Sequence, residues 1–135
     1  MAYKSFQGAV TELITPFTQS GEVDYALLRA EAEYQIKAGI AALFTNGLAS
    51  EALSLTAGEQ IQTTAEVVKQ AAGRGPVMGN IVQNTTKEAL KVLKGYEEAG
   101  VDAISIEQPN VYAFTQDGLY EFFETLIRAT KLPVC

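Results

Sequence analysis

PVMGNIVQNTTKEALKVLKGYEEAGVDAISIE is the sequence of residues 76–107, and it contains the pattern that decides the fold class. An apolar, β-rich run at 76–82 is followed by a helical stretch and then by a second apolar run at 103–107. Thr85, with a glutamate three residues later, fits a capping box that opens the helix, and Gly100 is placed to end it. Two apolar strands joined by a helix predict a parallel βαβ unit.

The same alternation extends over the rest of the chain. Apolar runs occur at residues 9–14, 40–45, 76–82 and 103–107, and a further run begins at 132–135. Helices are predicted at about 24–38, 56–72, 85–99 and 118–130. Two α/β architectures use this order: the doubly wound open sheet, of which a flavodoxin-like receiver has about this length, and the (β/α)8 barrel, which takes roughly 250 residues. The pattern leaves both open, and in a barrel these 135 residues are about half a domain.

Composition and charge exclude several classes of partner. The chain is 47% hydrophobic and 19% charged, as in an ordinary globular protein. Its net charge is -6 and its ten Lys and Arg residues are scattered, so nucleic acid and anionic membranes are poor partners. The apolar runs are too short to span a bilayer, and residues 1–7 contain no apolar signal region. We therefore expect a cytoplasmic protein.

The residue types that the sequence lacks exclude several catalytic mechanisms and metal sites. The sequence contains no histidine, which removes Ser-His and Cys-His nucleophile pairs and most zinc sites. Its one cysteine, Cys135, cannot form a disulfide or a thiolate cluster within a single chain. Acid-base steps would have to use carboxylates, lysine, tyrosine, hydroxyl groups or the substrate.

Six short segments, in order along the chain, identify a family resemblance. They are GAVTELITPF (8–17), GEVD (21–24), GLASE (47–51), GRGPV (73–77), NTTKEA (84–89), and PNVY with GLY (109–112 and 118–120). In this order and spacing they resemble the dihydrodipicolinate synthase/N-acetylneuraminate lyase family. The first three segments are similar to its first strand with a Thr-Pro-Phe turn, to the turn into its first helix, and to its Gly-Thr/Ser-Thr-Gly-Glu loop. The last three are similar to its Gly-Arg-x-Pro-Val entry to strand three, to the helix start that follows, and to its Pro-x-Tyr loop with the next helix. No segment is specific alone, but six in register are.

The resemblance implies a fold and a reaction. It implies that residues 1–135 are the first half of a TIM (β/α)8 barrel, namely (βα)4 plus the start of strand five. It also implies a lyase or aldolase in which a lysine forms a Schiff base with pyruvate or a related keto acid, without metal or organic cofactor. In the family this lysine ends strand six and a proton-relaying tyrosine lies near the end of strand five. Both would fall beyond Cys135, so these residues alone are expected to be inactive.

The lysines present agree with that expectation. There are seven of them, and all lie on predicted helices, at helix ends or at the N-terminus: Lys4, Lys37, Lys69, Lys87, Lys91, Lys94 and Lys131. None closes a predicted strand on the catalytic face, so each is interpreted as a solvated surface charge.

The loop after the second strand is the first candidate site. In the family its amides and hydroxyls hold the pyruvate carboxylate, and the resemblance places Gly47, Leu48, Ala49, Ser50 and Glu51 there. Leu48 and Ala49 stand where the family has two hydroxyl residues, so the proton relay at Leu48 is lost. Backbone N–H groups and Ser50 could still hold a carboxylate. Glu51 is interpreted equally well as a brace of the loop and as a substrate contact.

The ends of the third and fourth strands supply the remaining candidates. The family places a tyrosine that crosses between subunits two residues after the proline of the strand-four loop, a position that is Val111 here. Tyr112 is one residue later and should point elsewhere, as an interface or packing aromatic. Some lyases carry a second aromatic residue there, so Val111 and Tyr112 are both kept as candidate substrate-binding positions. Glu107 is expected at the rim of the catalytic face as a solvated carboxylate, and Asn80 could reach a ligand.

Three functions remain to be compared. The first is the N-terminal part of a Schiff-base lyase acting on keto acids, with an altered or decayed site and as a homo-oligomer. The second is a non-catalytic half-barrel that associates with itself through unpaired sheet edges and an uncovered apolar interior. The third, a flavodoxin-like or nucleotide-binding domain, lacks support, because no acidic cluster follows strand one and no Gly-rich phosphate loop occurs.

Overall fold

A computed structural model describes residues 6–135, so Lys4 lies outside the described residues. Strands and helices alternate along the chain as β1 (Val10–Glu12), α1 (Tyr25–Lys37), β2 (Ala42–Thr45), a 3₁₀ helix (Ala52–Ser54), α2 (Ala57–Ala71), β3 (Val77–Ile81), α3 (Thr86–Ala99), β4 (Ala103–Ile106) and α4 (Gln116–Ala129). Within residues 6–135, no helix is both long enough and apolar enough to cross a membrane.

The four strands form one parallel sheet in the order β1-β2-β3-β4. The fifth apolar run continues this order, because Val134 forms a parallel bridge with Ile104 of β4. The Ile104 N–H donates to the carbonyl of Pro133 at 2.9 Å, and the Cys135 N–H donates to the carbonyl of Ile104 at 2.9 Å. Each strand therefore lies beside the one before it in sequence. A doubly wound sheet reverses its strand order at a switch point, so the sheet has the order of a barrel, as the resemblance implied.

Side-chain caps start α1 and α2 where the sequence predicted. The Asp24 carboxylate accepts hydrogen bonds from the N–H groups of Ala26 and Leu27 at the start of α1. At α2 the capping box is complete: the Thr56 hydroxyl accepts from the Glu59 N–H, and the Glu59 carboxylate accepts from the Thr56 N–H. These bonds satisfy helix N–H groups that have no partner within the helix.

Helix α4 begins two residues before its approximate predicted start. We expected α4 to begin near Gly118, but it begins at Gln116, with Thr115 as its N-cap. The Thr115 hydroxyl accepts a hydrogen bond from the Gly118 N–H at 3.1 Å. The glycine therefore lies inside the first turn.

The two faces of the sheet differ in how they are covered. Strand side chains that face the helices lie in two buried apolar clusters and include Leu43, Val77, Ile81, Ile104 and Ile106. Because side chains alternate along a strand, Phe44, Met78 and Asn80 point to the opposite face, which is the interior of a barrel. Val10, on the same face of β1, remains 43% exposed. The interior face is thus incompletely covered by the described residues.

A surface ion pair between α1 and the end of α2 leads to a prediction about acid stability. The Arg74 guanidinium, and secondarily the Gln70 amide, hydrogen-bonds the Glu33 carboxylate and holds its pKa at about 2, below the usual 4.5. A depressed pKa in the folded state contributes stability that is present above pH 4.5 and is lost as the pH falls towards 2. We expect Glu33→Gln to lower the melting temperature above pH 4.5 by no more than a few degrees, because the pair is partly exposed.

Thermal unfolding followed by circular dichroism between pH 2 and pH 6 measures this difference. The two melting curves should converge as the pH falls to 2, where the wild-type carboxylate is becoming protonated. Glu98→Gln is the control, since Glu98 lies 3.7 Å from Lys94 in an exposed pair within α3. A Glu33→Gln deficit that is constant over the whole pH range would contradict the assignment.

Candidate active site

The carboxyl ends of β1 to β4 carry polar side chains and the loops that the sequence singled out. The loop after β2 contains residues 47–51, and the segment after β4 contains residues 107–115. Parallel strands bring these connections to one edge of the sheet, which is the catalytic edge in barrels. Two further side chains at this edge, Glu12 of β1 and Asn80 of β3, contact the loop after β2.

Internal hydrogen bonds shape the loop after β2. The Ser50 hydroxyl donates to the carbonyl of Gly47 at 2.7 Å, and the Ser50 N–H donates to Oε1 of Glu12 at 3.1 Å. Ser50 is 1% exposed. Both donors of Ser50 are therefore used inside the chain, whereas the sequence suggested that Ser50 could hold a ligand's carboxylate.

Gly47 has a steric reason to be a glycine. A Cβ atom at this position would overlap the carboxylate oxygen of Glu12, and it would lie 2.6 Å from an edge carbon of the Phe44 ring. A side chain at this position would require the Glu12 carboxylate and the Phe44 ring to move. The loop thus passes directly over the ends of β1 and β2.

The exposed part of the loop consists of Leu48, Ala49 and Glu51. The Leu48 side chain is 68% exposed. Within residues 6–135, the backbone N–H groups of Leu48 and Ala49 have no hydrogen-bond acceptor, whereas the Glu51 N–H donates to the Leu48 carbonyl. Glu51 has a left-handed backbone (φ 56°) at the start of the 3₁₀ helix, and its side chain makes no capping bond there. Two adjacent free N–H groups can bind an anionic oxygen.

A buried polar network beneath this loop was missed by the sequence analysis. Asn46 is 1% exposed, and its Nδ2 lies 2.8 Å from the Gln60 carbonyl, 2.9 Å from the Thr64 hydroxyl and 2.7 Å from the Tyr96 hydroxyl. Its Oδ1 accepts from the Thr63 hydroxyl at 3.0 Å. The network joins the end of β2 to α2 and α3. A polar residue directly after an apolar strand was the available signal, but its partners are distant in sequence.

Tyr96 connects this network to β3. Its hydroxyl donates to the Asn80 carbonyl at 2.9 Å, and its side chain is fully buried. Burial raises the pKa of Tyr96, and hydrogen bonds to Thr64 and Asn46 offset only part of that rise. The phenol is therefore neutral at physiological pH, and it acts as a hydrogen-bond bridge within the core.

Asn80 links the loop after β2 to the end of β4. Its Nδ2 donates to the Asn46 carbonyl at 2.9 Å and to Oε1 of Glu107 at 2.8 Å. Glu107 is half-buried, and its carboxylate is bonded to a neighbouring strand, which the sequence did not predict. The two residues expected separately at the ends of β3 and β4 thus form one pair.

The remaining candidates lie on the surface of the segment after β4. Val111 is 54% exposed and Tyr112 is 77% exposed. The segment is attached nearby through the Asn110 N–H, which donates to the Asn84 side chain at 3.1 Å. A site role for Val111 and Tyr112 remains a prediction. Within residues 6–135, no group of three or more Cys, Asp or Glu side chains is arranged to hold a metal ion.

Comparisons with known proteins extend over nearly the whole chain. The profile of the Dihydrodipicolinate synthetase family matches residues 5–135. A 4-hydroxy-tetrahydrodipicolinate synthase of Bacillus subtilis is 35% identical over 130 residues, which are 96% of this chain and 45% of that protein. The chain thus spans less than half the length of such relatives.

Solved structures give the same result for the fold. The crystal structure of dihydrodipicolinate synthase from Aquifex aeolicus is similar with a TM-score of 0.90 and 36% identity, over 96% of this chain and 44% of that one. A second similar structure is that of YagE, a prophage protein of E. coli K12 that belongs to the dihydrodipicolinic acid synthase family and was solved in complex with pyruvate. Its TM-score is 0.91 and its identity is 26%, over 96% of this chain and 43% of that one. The four strands and helices match the N-terminal half of the TIM barrel in these proteins.

Proposed function

Because the chain belongs to the dihydrodipicolinate synthetase family, we propose that residues 1–135 form the N-terminal half of a (β/α)8 barrel in a Schiff-base lyase or aldolase acting on pyruvate-type keto acids. The observation that carries the proposal is the sheet order β1-β2-β3-β4, with Val134 paired to β4. This order leaves β1 and the fifth strand as the edges that a second half would close. The pyruvate complex of YagE supports the choice of substrate class.

The loop after β2 provides the anion-binding part of the proposed site. Leu48 and Ala49 are exposed residues in the loop after β2, and a substrate carboxylate could accept hydrogen bonds from their two N–H groups, which have no acceptor within residues 6–135. Glu12 occupies the third N–H, that of Ser50, and so fixes the loop in this conformation. We assign carboxylate binding to backbone groups, since the side chains of Leu48 and Ala49 offer no donor.

The proposed nucleophile lies outside residues 1–135. Within residues 6–135, none of the lysines lies in a strand or ends one. Lys37, Lys69, Lys87, Lys91 and Lys94 lie in helices α1 to α3, and Lys131 follows α4. Imine formation requires an amine beside the bound ketone. We therefore place the imine-forming lysine and the proton-relaying tyrosine on polypeptide that completes the barrel.

Reductive trapping tests this proposal. The full-length gene product, treated with borohydride and pyruvate, should gain one covalent adduct by intact mass, and residues 1–135 alone should gain none. Lactate is the matched control ligand, because it has the same carboxylate but no ketone. An adduct on a lysine of residues 1–135 would refute the assignment of the nucleophile, and no adduct on the full-length protein would refute the imine mechanism.

A second candidate function is a half-barrel that assembles with copies of itself, as in a homo-oligomeric scaffold. It is favoured by the exposure of apolar side chains on and after β1, where Val10 is 43% and Ile14 is 55% exposed. Such surfaces promote association. Light scattering of residues 1–135 at micromolar concentration distinguishes the two functions, since a folded monomer excludes the scaffold.

A further inference from the structure

Glu12, the last residue of β1, points to the interior face of the sheet. It is aligned in register with Phe44 of β2. Leu43, which precedes Phe44, packs in an apolar cluster between the sheet and the helices. Side chains alternate along a strand and residues in register share a face, so Phe44 and Glu12 both point away from the helices. The Glu12 carboxylate thus belongs to the side of the sheet on which the proposed active site lies.

The loop after β2 is built around this carboxylate. Oε1 of Glu12 accepts a hydrogen bond from the Ser50 N–H at 3.1 Å. A Cβ atom on Gly47 would overlap the same oxygen and would lie 2.6 Å from the carboxyl carbon. Glu12 therefore lies against both Gly47 and Ser50, which are the residues that flank Leu48 and Ala49. Its charge is adjacent to the two free N–H groups to which the proposed function assigns a substrate carboxylate.

The charge of Glu12 has no compensating cation, and one of its oxygens is open to solvent. Among residues 6–135, no salt bridge includes Glu12. Its second oxygen, Oε2, accepts no hydrogen bond there, yet Asn80 Oδ1 is the only buried side-chain atom of those residues that lacks a partner. Oε2 therefore keeps contact with solvent, and a ligand bound at the loop would experience the full charge of the carboxylate.

We propose that Glu12 is a specificity-determining residue of this site: its negative charge lowers the preference of the loop after β2 for a carboxylate over an uncharged acceptor. The inference rests on the proposed function only in assigning ligand binding to this loop, and it requires neither a lysine nor an imine. N–H groups hold a carboxylate more strongly than an amide carbonyl, because the carboxylate is charged. A second carboxylate beside the ligand opposes that gain by like-charge repulsion, whereas it has little effect on an uncharged acceptor.

Isothermal titration calorimetry of the full-length gene product with lactate and with lactamide tests the proposal. The two ligands have nearly the same shape, differ in the charge of the group offered to the loop, and have no ketone with which to form an imine. In Glu12→Gln the side-chain oxygen still accepts from the Ser50 N–H, so the loop keeps its support. We expect the ratio of the lactamide Kd to the lactate Kd to rise at least about tenfold over the wild type, through tighter binding of lactate. Added salt should reduce this difference, because it screens the repulsion in the wild type.

Glu22→Gln is the matched control. It removes the same charge from an exposed residue of the loop after β1, whose backbone is bonded to Thr18 within that loop. We expect it to change the ratio of the two Kd values by less than about twofold.

Three results would overturn the proposal. The first is that Glu12→Gln changes the binding of both ligands equally or of neither, and the second is that Glu22→Gln has an effect of the same size. The third is that Glu12→Gln binds no lactate, since a carboxylate should bind once the repulsion is removed. Borohydride trapping with pyruvate is read independently, so a failed imine mechanism and a failed role of Glu12 give different results.

Discussion

The Asn46→Ala protein is expected to lose about 4 kcal/mol of unfolding free energy. Asn46 is the centre of the buried network that joins β2 to α2 and α3. Alanine would remove the hydrogen bonds from Asn46 Nδ2 to the Gln60 carbonyl and to the Thr64 and Tyr96 hydroxyls, and the bond from the Thr63 hydroxyl to Asn46 Oδ1. The Thr63 hydroxyl keeps the Gln60 carbonyl as its acceptor at 3.0 Å, so the expected cost is that of the lost buried hydrogen bonds, about 1 kcal/mol each.

The backbone of Asn46 adds a second contribution. Its φ of 60° lies in the left-handed region, which asparagine tolerates and which costs alanine about 1 kcal/mol. Asn46→Gly separates the two effects, since glycine loses the same hydrogen bonds without the backbone strain. Urea unfolding followed by circular dichroism should therefore rank the proteins as wild type, then Asn46→Gly, then Asn46→Ala. A loss below about 1 kcal/mol for alanine would show that the network contributes little.

The parts of the fold that the sequence predicted are those determined by neighbouring residues. The Asp24 cap bonds residues two and three positions later, and the Thr56 capping box spans three positions. The cap of α4 is equally local, but the sequence placed the helix start only at about Gly118, whereas the cap is Thr115. Strand order also followed from the alternating pattern once the family resemblance had selected the barrel.

The candidate site was only partly predictable, because its partners are far apart in sequence. Asn46 and Tyr96 are separated by 50 positions, and Asn80 and Glu107 by 27. No periodicity or motif in the sequence shows that such residues are in contact. Their contact depends on the register of the strands in the folded sheet. The loop at Gly47 was located correctly, but the resemblance contained no sign that Glu12 would bond the Ser50 N–H, since that contact depends on how closely β1 and the loop approach each other.

Gly79→Ala is expected to destabilise the protein by about 3 kcal/mol, through steric overlap with Tyr96. A Cβ atom at Gly79 would lie 2.6 Å and 2.8 Å from two edge carbons of the Tyr96 ring. The ring cannot withdraw easily, because its hydroxyl donates to the Asn80 carbonyl and accepts from Asn46 Nδ2. Relieving the overlap would require breaking these bonds or separating α3 from β3.

Two comparisons make the Gly79 result specific. Gly75→Ala is the same chemical change where the nearest heavy atom to a new Cβ is the Ala41 carbonyl oxygen at 3.7 Å, so we expect a change within about 0.5 kcal/mol. In a Tyr96→Phe background the ring loses its hydroxyl bonds and can shift, so Gly79→Ala should cost less there than in the wild type. Strictly additive losses in urea unfolding would mean that the hydroxyl does not fix the ring, and that the buried network and the packing of β3 against α3 are independent.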